Sequence, residues 1–497
     1  MAYVFPGTQG IGEIGEQLEL DLTPEEVSEY HAYLSALTPA FHLIEQLPDE
    51  TPPVKYPRTP GYRPEGSENQ HNGWVVKSTI KGAAKGKLKG KTLAIKDSVN
   101  VAGVPMSNGA SILDGHVPDF DATIVTRILD AGGEILGKAS CEYLCFAGNS
   151  VTGVNGPVQN PRAPGRSAGG SSTGSAALVA AGDVDMSIGA DQAGSIRMPA
   201  SFCGIVGLKP TFGLVPYTGV AGIEYTFDHV GPMARTVADC ALLLEIIAGE
   251  DGIDGRQRNV KVQPYTKALG RGVKGLKIGV VKEGFGRPET EQGVDDVVRA
   301  EIKRLESLGA TVEEISIPWH NIGSALWLPI GIEGSYHNIV RGHGVGYGGI
   351  GAYSLTYMKA FESWPAHAAE LAAPIKAVLL SGRVLERHGG RLYAKAQNLR
   401  RRLRNEYDAW LQKFDVLVMP TTPMTATPMP GTDAGPQEIV HRSWEMLQNT
   451  SPFDLTGHPA ISVNCGEHDS RPVGFMVVGR HFDEQTVFQV AEVVHRD

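Results

Sequence analysis

The stretch from Gly165 to Gly207 constrains the chain most. It holds two clusters of glycine and serine separated by one helix and one strand. Ala176 to Ala181 reads as an alanine-rich helix stopped by Gly182, and Asp185 to Ile188 reads as a strand. Ala190 to Arg197 (ADQAGSIR) reads as a loop of small residues following that strand. Such spacing brings backbone and hydroxyl groups close together with little side-chain bulk between them. The same punctuation runs through the preceding hundred residues, with strands at Thr92–Ile95 and Glu134–Gly137 around a helix at Ala122–Ala131. Alternation of this kind specifies an α/β protein.

Composition agrees. With 41% hydrophobic and 20% charged residues, the 497-residue chain is globular rather than disordered. Its 61 glycines and 32 prolines are too dispersed for a collagen or linker repeat and indicate many tight turns. A formal charge of −10 argues against a nucleic-acid partner. No apolar run is long enough for a membrane span, and the start, MAYVFPGTQG, lacks the basic and apolar regions of a signal peptide, so a cytoplasmic address is expected. Cys141, Cys145, Cys203, Cys240 and Cys465 are odd in number and widely spread, which fits a reduced compartment.

Four regions are expected. Residues 1–85 form an N-terminal helical segment and linker: Thr23, Pro24 and Glu26 spell a capping signal for a helix, and six prolines between Pro48 and Pro64 break regular structure. Residues 86–270 form the core. Near Gly275 the style changes, with a strand at Leu276–Val281, a helix lined by Val294, Val298, Ile302 and Leu305 and stopped at Gly309, and a strand at Thr311–Ile317. A smaller second subdomain is expected at 271–400, with residues 401–497 as the last region.

Several motifs fail on mechanism. Lys81–Thr92 ends like a phosphate-binding loop, but Lys85 stands where glycine is required and a strand-like LAIK follows instead of a helix. Gly344, Gly346 and Gly349 satisfy a dinucleotide pattern with no strand before them, and read as a surface loop. Cys141 and Cys145 lack the further donors of a metal site and read as buried thiols. Two G-x-S-x-G matches, at Gly165–Gly169 and Gly170–Gly174, follow NPRAP, whose prolines cannot belong to the central strand that a nucleophile elbow needs.

Acyl transfer is the chemistry that the Gly/Ser region can support. Ser195 would be the nucleophile, and the amides of Gln192, Ala193, Gly194 and Ser195 would face a developing oxyanion. A structural Gly/Ser turn is the alternative. No histidine stands out as a base, and a lysine can serve if it is neutral part of the time. Lys96 closes the apolar run Leu93-Ala94-Ile95 and is the candidate, although a lone lysine more often lies on a surface.

These segments also carry a resemblance. GGSSTGSAALVAAG (169–182) with GADQAGSIRMPASFCGIVGLKPTFG (189–213) resembles the amidase signature family of serine hydrolases. LAIKDSVNVAGVPMSNGA around Lys96, DVLVMPTTPM and SPFDLTGHPAISVNCG extend the match. The resemblance implies a three-layer α/β/α fold with a large mixed central sheet, into which the smaller subdomain at 271–400 is inserted, with residues 401–497 returning to the core. It also implies a Ser-Ser-Lys triad of Lys96, Ser171 after a cis peptide bond, and Ser195. Where the family loop commonly reads D-T-G-G-S, this chain has Asp191-Gln192-Ala193-Gly194-Ser195, which is tolerable provided Ala193 does not require positive φ. Asp191 and Arg197 would brace the loop.

The DQ variant resembles bacterial amidases of nitrile metabolism, which have an N-terminal helical segment used in dimerisation. The implied function is hydrolysis of a carboxamide to acid and ammonia, with no cofactor and no metal. The implied partners are a small-molecule amide and a second copy of the chain, with no membrane. A glutaminase-type subunit of a tRNA-dependent amidotransferase, or an aryl-amide, ester or carbamate hydrolase of the family, is the alternative; a scaffold that has lost its chemistry is a further one. Tyr143, Phe146 and Trp327 are candidate substrate-lining residues.

Overall fold

The computed structural model describes residues 4–496. It divides into two compact units, one ending at Thr51 and the other starting at Pro52. The first is a helix pair, α1 (Thr8–Gln17) and α2 (Pro24–Gln46). The expected cap is present: Glu26 N–H donates to Thr23 Oγ1, and Thr23 N–H donates back to the Glu26 carboxylate. No residue of α2 is buried.

The second unit is built on one sheet of eleven strands. Its elements run β1 (Trp74–Lys81), β2 (Thr92–Lys96), α3 (Thr123–Asp130), β3 (Glu134–Ala139), α4 (Thr173–Ala181), β4 (Met186–Asp191), α5 (Arg197–Cys203), β5 (Val206–Lys209), β6 (His229–Ala234) and α6 (Val237–Ile247). They continue with β7 (Lys277–Val281), α7 (Gln292–Ser307), β8 (Thr311–Ile315), α8 (Gly323–Val340), α9 (Leu355–Phe361), α10 (Ala373–Glu386) and α11 (Arg391–Leu411). The chain closes with β9 (Val416–Pro420), α12 (Pro436–Trp444), α13 (Ser451–Thr456), β10 (Ala460–His468), β11 (Arg471–Val478) and α14 (Glu484–Val494).

Strand order is β1-β3-β2-β4-β6-β5-β10-β11-β9-β7-β8. The sheet is mixed: β2 runs parallel to β3 and β4, β7 runs parallel to β8 and β9, and the other pairs are antiparallel. Helices cover both sides, giving the expected three-layer α/β/α fold. Every residue of β4, β5 and β6 is buried, as central strands packed on both faces must be.

Two features of this sheet position the site. Parallel pairing of β2 with β4 brings their C-terminal ends, Lys96 and Asp191, to the same edge. Strand β4 also runs further than the apolar pattern predicts, because Ala190 and Asp191 pair with Val230 and His229 of β6. The loop of small residues is therefore Gln192–Ile196, with Arg197 already in α5. The alanine-rich helix begins three residues earlier than expected, at Thr173, and Gly182 caps it in the left-handed conformation.

Candidate active site

Lys96 is fully buried at the end of β2. Its Nζ lies 2.8 Å from Ser171 Oγ and donates to the Ala190 carbonyl at 3.3 Å. Among the described residues no carboxylate forms an ion pair with it; the neighbouring Asp97 pairs instead with the buried Lys138, at 3.3 Å. A lysine whose side-chain contacts are a hydroxyl and a carbonyl is placed to exchange a proton with that hydroxyl.

The turn before α4 carries Ser171, and the Gly170–Ser171 peptide is cis. Glu142 N–H and Thr173 Oγ1 donate to the Ser171 carbonyl at 3.2 and 3.3 Å. Ser172 ties the turn to β4, donating from Oγ to the Ala190 carbonyl at 3.1 Å and accepting from Ala190 N–H at 3.2 Å. Gly174 allows α4 to approach β3, since a Cβ there would lie 2.3 Å from the Gly73 carbonyl oxygen and 2.5 Å from the Ser140 nitrogen. Ser172 and Gly174 were legible only as part of a Gly/Ser cluster. Their work is in holding Ser171.

Ser195 is linked to the same turn, because Ser172 N–H donates to its carbonyl at 3.2 Å. The carbonyls of its loop are all engaged. Trp327 Nε1–H donates to the Gln192 carbonyl at 2.7 Å, Thr450 Oγ1–H to that of Ala193 at 2.6 Å, and Met198 N–H to that of Gly194 at 2.7 Å. None of the peptide N–H groups of Gln192, Ala193, Gly194 and Ser195 has a protein acceptor among the described residues. A loop with its carbonyls held and its N–H groups unengaged can stabilise an oxyanion. The positive φ of this loop falls on Gly194 (135°) and not on Ala193, so the extra methyl group is accommodated. A Cβ at Gly194 would meet Thr450 Oγ1 at 2.3 Å.

Below the loop lies a fully buried ion cluster. Arg197 donates to both carboxylate oxygens of Asp191, from Nε at 2.9 Å and Nη2 at 3.0 Å, and Nη2 also reaches Asp454 at 2.7 Å. Burial pushes the Asp191 carboxyl up, but the Arg197 charge and hydrogen bonds outweigh it and hold the group at about 2. Asp454 goes the other way, raised by burial and by the nearby Asp191. Asp191 accepts from Ile196 N–H at 3.1 Å as well, so the cluster grips the residue after Ser195. Lys209, lowered to about 7 by burial, donates to the carbonyls of His458 at 2.6 Å and Pro210 at 3.2 Å.

Ser195 lines a cavity with Phe146 and Trp327. Tyr143 does not line it; its hydroxyl meets Ser111 Oγ at 3.2 Å. Cys145, Met198, Ile223, Trp444 and Leu447 complete an apolar wall that no local motif announced. Tyr217 was also missed; its hydroxyl accepts from Gln192 Nε2 at 2.9 Å, so the glutamine that distinguishes this loop is held from the side. The five cysteines are buried and free.

Comparison with known proteins is consistent across the chain. A family model described as Amidase matches residues 70–488. An enantioselective amidase of Rhodococcus rhodochrous is 42% identical over 497 residues, covering 99% of this chain and 95% of that one. The crystal structure of a glutamyl-tRNA(Gln) amidotransferase subunit from Thermotoga maritima is 32% identical, with a TM-score of 0.71 over 85% of this chain and 87% of that chain. A peptide amidase from Stenotrophomonas maltophilia is 28% identical, with a TM-score of 0.66 over 82% of each chain.

Proposed function

The chain belongs to the amidase family, and on that premise we propose that it hydrolyses a carboxamide to a carboxylic acid and ammonia through an acyl-enzyme on Ser195. The observation that carries this reading is the buried contact of Lys96 Nζ with Ser171 Oγ beside the Ser195 loop. Ser195 Oγ attacks the amide carbon while its proton passes to Ser171 Oγ, whose own proton passes to Lys96 Nζ. The N–H groups of Gln192, Ala193 and Gly194 receive the negative oxygen of the tetrahedral intermediate. As the C–N bond breaks, the proton returns through the same relay to the leaving nitrogen, which departs as ammonia. Water, deprotonated along that path, then releases the acid and restores Ser195. No step calls for a metal or an organic cofactor.

The cavity wall of Phe146, Trp327, Ile223 and Trp444 supports an aryl or bulky aliphatic acyl group as the part recognised. The alternative, a glutaminase-type subunit serving a charged tRNA, is less well supported. The Thermotoga amidotransferase chain matches 85% of this chain, whereas the Rhodococcus enzyme matches 99% of it, the N-terminal helices included. Aryl-amide, ester and carbamate substrates would use the same acyl-enzyme.

A homodimer formed through the N-terminal unit is part of this reading, supported by the exposed Tyr30, Tyr33, Leu43, Ile44 and Leu47 of α2 and its C-cap. The division into an N-terminal segment, core, inserted subdomain and C-terminal return stands as a proposal beside it. A cytoplasmic location is supported by the five free thiols. No helix of the described residues is long and apolar enough to cross a membrane.

The test is ammonia release from a panel of aliphatic, aryl and α-substituted amides by the purified single chain, with Ser195→Ala as control. Turnover without a partner protein, abolished by the substitution, supports the reading. Turnover that persists in Ser195→Ala rejects it.

A further inference from the structure

At the C-terminal end of α13, Thr456 holds two imidazole rings through two different atoms. His458 Nδ1 meets Thr456 Oγ1 at 2.9 Å, and His481 Nε2–H donates to the Thr456 carbonyl at 3.0 Å. The other nitrogen of each ring faces a single oxygen, Oδ1 of Asp408 on α11, at 3.0 Å from His458 Nε2 and 3.7 Å from His481 Nδ1. One ligand atom from each residue lies within 4.8 Å of the others. A carbonyl only accepts, so His481 carries hydrogen on Nε2, which leaves Nδ1 as the ring atom turned to the carboxylate oxygen. At 3.7 Å the His481 Nδ1–Asp408 Oδ1 pair lies beyond hydrogen-bond distance, a spacing that an ion bonded to both atoms can span.

We propose that Asp408 Oδ1, His458 Nε2 and His481 Nδ1 form a binding site for a divalent transition-metal ion of the zinc type. Two imidazoles and a carboxylate are the donors such an ion prefers. Bonds of about 2.0–2.1 Å place tetrahedral ligands roughly 3.3–3.4 Å apart, and the two distances to Oδ1 straddle that spacing. His458 keeps its hydrogen on Nδ1, where Thr456 Oγ1 accepts it, so its Nε2 binds the ion without net loss of a proton. Each ligating ring then has its second nitrogen fixed by a protein group, as orienting partners of metal sites do.

Asp408 binds through one oxygen because the other faces Arg404 Nε at 3.5 Å. Its side chain is 38% exposed, which gives an ion access from solvent and leaves a fourth position for water. The three ligands come from α11, from the turn after α13 and from the loop between β11 and α14. The ion would therefore clip together segments distant in sequence, apart from the Lys96, Ser171 and Ser195 set.

The experiment is titration of the chelator-treated full-length chain with Co²⁺, followed by visible absorption, and with Zn²⁺, followed by thermal melting. One equivalent of Co²⁺ should produce tetrahedral d–d bands, and Zn²⁺ should raise Tm, because an ion bound only by the folded state stabilises it. His481→Gln should abolish both signals, and Thr456→Val should weaken binding by about 10- to 100-fold. Where His481→Gln does not fold, Asp408→Asn at its half-exposed position gives the same readout. Absence of the bands and of the Tm shift with excess metal overturns the proposal, as do bands that survive these ligand substitutions.

Discussion

Lys96 Nζ and Ser171 Oγ lie 2.8 Å apart in a pocket that excludes solvent from both residues, although 75 positions separate them in sequence. The strand end that carries the lysine and the cis peptide that carries the serine are independent pieces of backbone, joined at this contact. A surface lysine would have its ammonium hydrated; this one has a hydroxyl and a carbonyl in place of water.

If the two side chains act as one relay, removing both should cost little more than removing either. Lys96→Met and Ser171→Ala should each lower kcat by about 10²- to 10⁴-fold, the range of a lost general base. The double variant should be far from the product of the two effects. Steady-state ammonia release with circular dichroism as a folding control measures this; multiplicative losses would separate the residues into unrelated roles.

Trp327 holds the Gln192 carbonyl through its indole N–H as well as lining the cavity. Trp327→Phe keeps a ring and removes the donor to the Gln192 carbonyl. The loss of one hydrogen bond, about 1 kcal/mol, should appear as a several-fold fall in kcat with KM nearly unchanged for small amides. A change confined to KM would assign the residue to substrate packing alone.

The ion cluster beneath the loop gives stability a defined dependence on acid. Asp191 is held at about 2 against an ordinary 3.8, so its contribution is complete above about pH 4 and is lost as pH falls through 2. For a fully buried group that contribution is on the order of 2 kcal/mol. Asp454, raised instead, stays protonated in the folded chain while its unfolded carboxyl takes up a proton near the ordinary 3.8, so it adds a slope of the opposite sign that is common to the wild type and Asp191→Asn. Urea unfolding between pH 5 and 2.5 should show the wild type losing stability more steeply than Asp191→Asn. Equal slopes would remove Asp191 from the acid response.

Much of this was readable in the chain because the segment that holds the proposed site obeys local rules. Gly182 ends a helix, Leu93-Ala94-Ile95 makes a buried strand, and small residues precede Ser195, so spacing pointed to Ser195 and Lys96 and the family resemblance added Ser171. What escaped the sequence depends on long-range packing. Strand β4 reaches Asp191 because β6 pairs with it, and no property of Ala190 or Asp191 alone announces that. Thr450 and Trp327 meet the loop from 257 and 135 residues away, and Tyr217 meets it through one hydroxyl; none of them sits in a pattern of its own. The aromatic residues illustrate the limit: Phe146 and Trp327 reached the cavity, while Tyr143, three residues before Phe146, turned toward Ser111.

The most direct measurement is the mass of the chain after reaction with an activated serine-directed phosphonate, with the modified peptide sequenced. The account predicts one adduct per chain, on Ser195, formed much more slowly in Lys96→Met. An adduct on Ser171 or another residue, or labelling of Ser195 at an undiminished rate without Lys96, would contradict it.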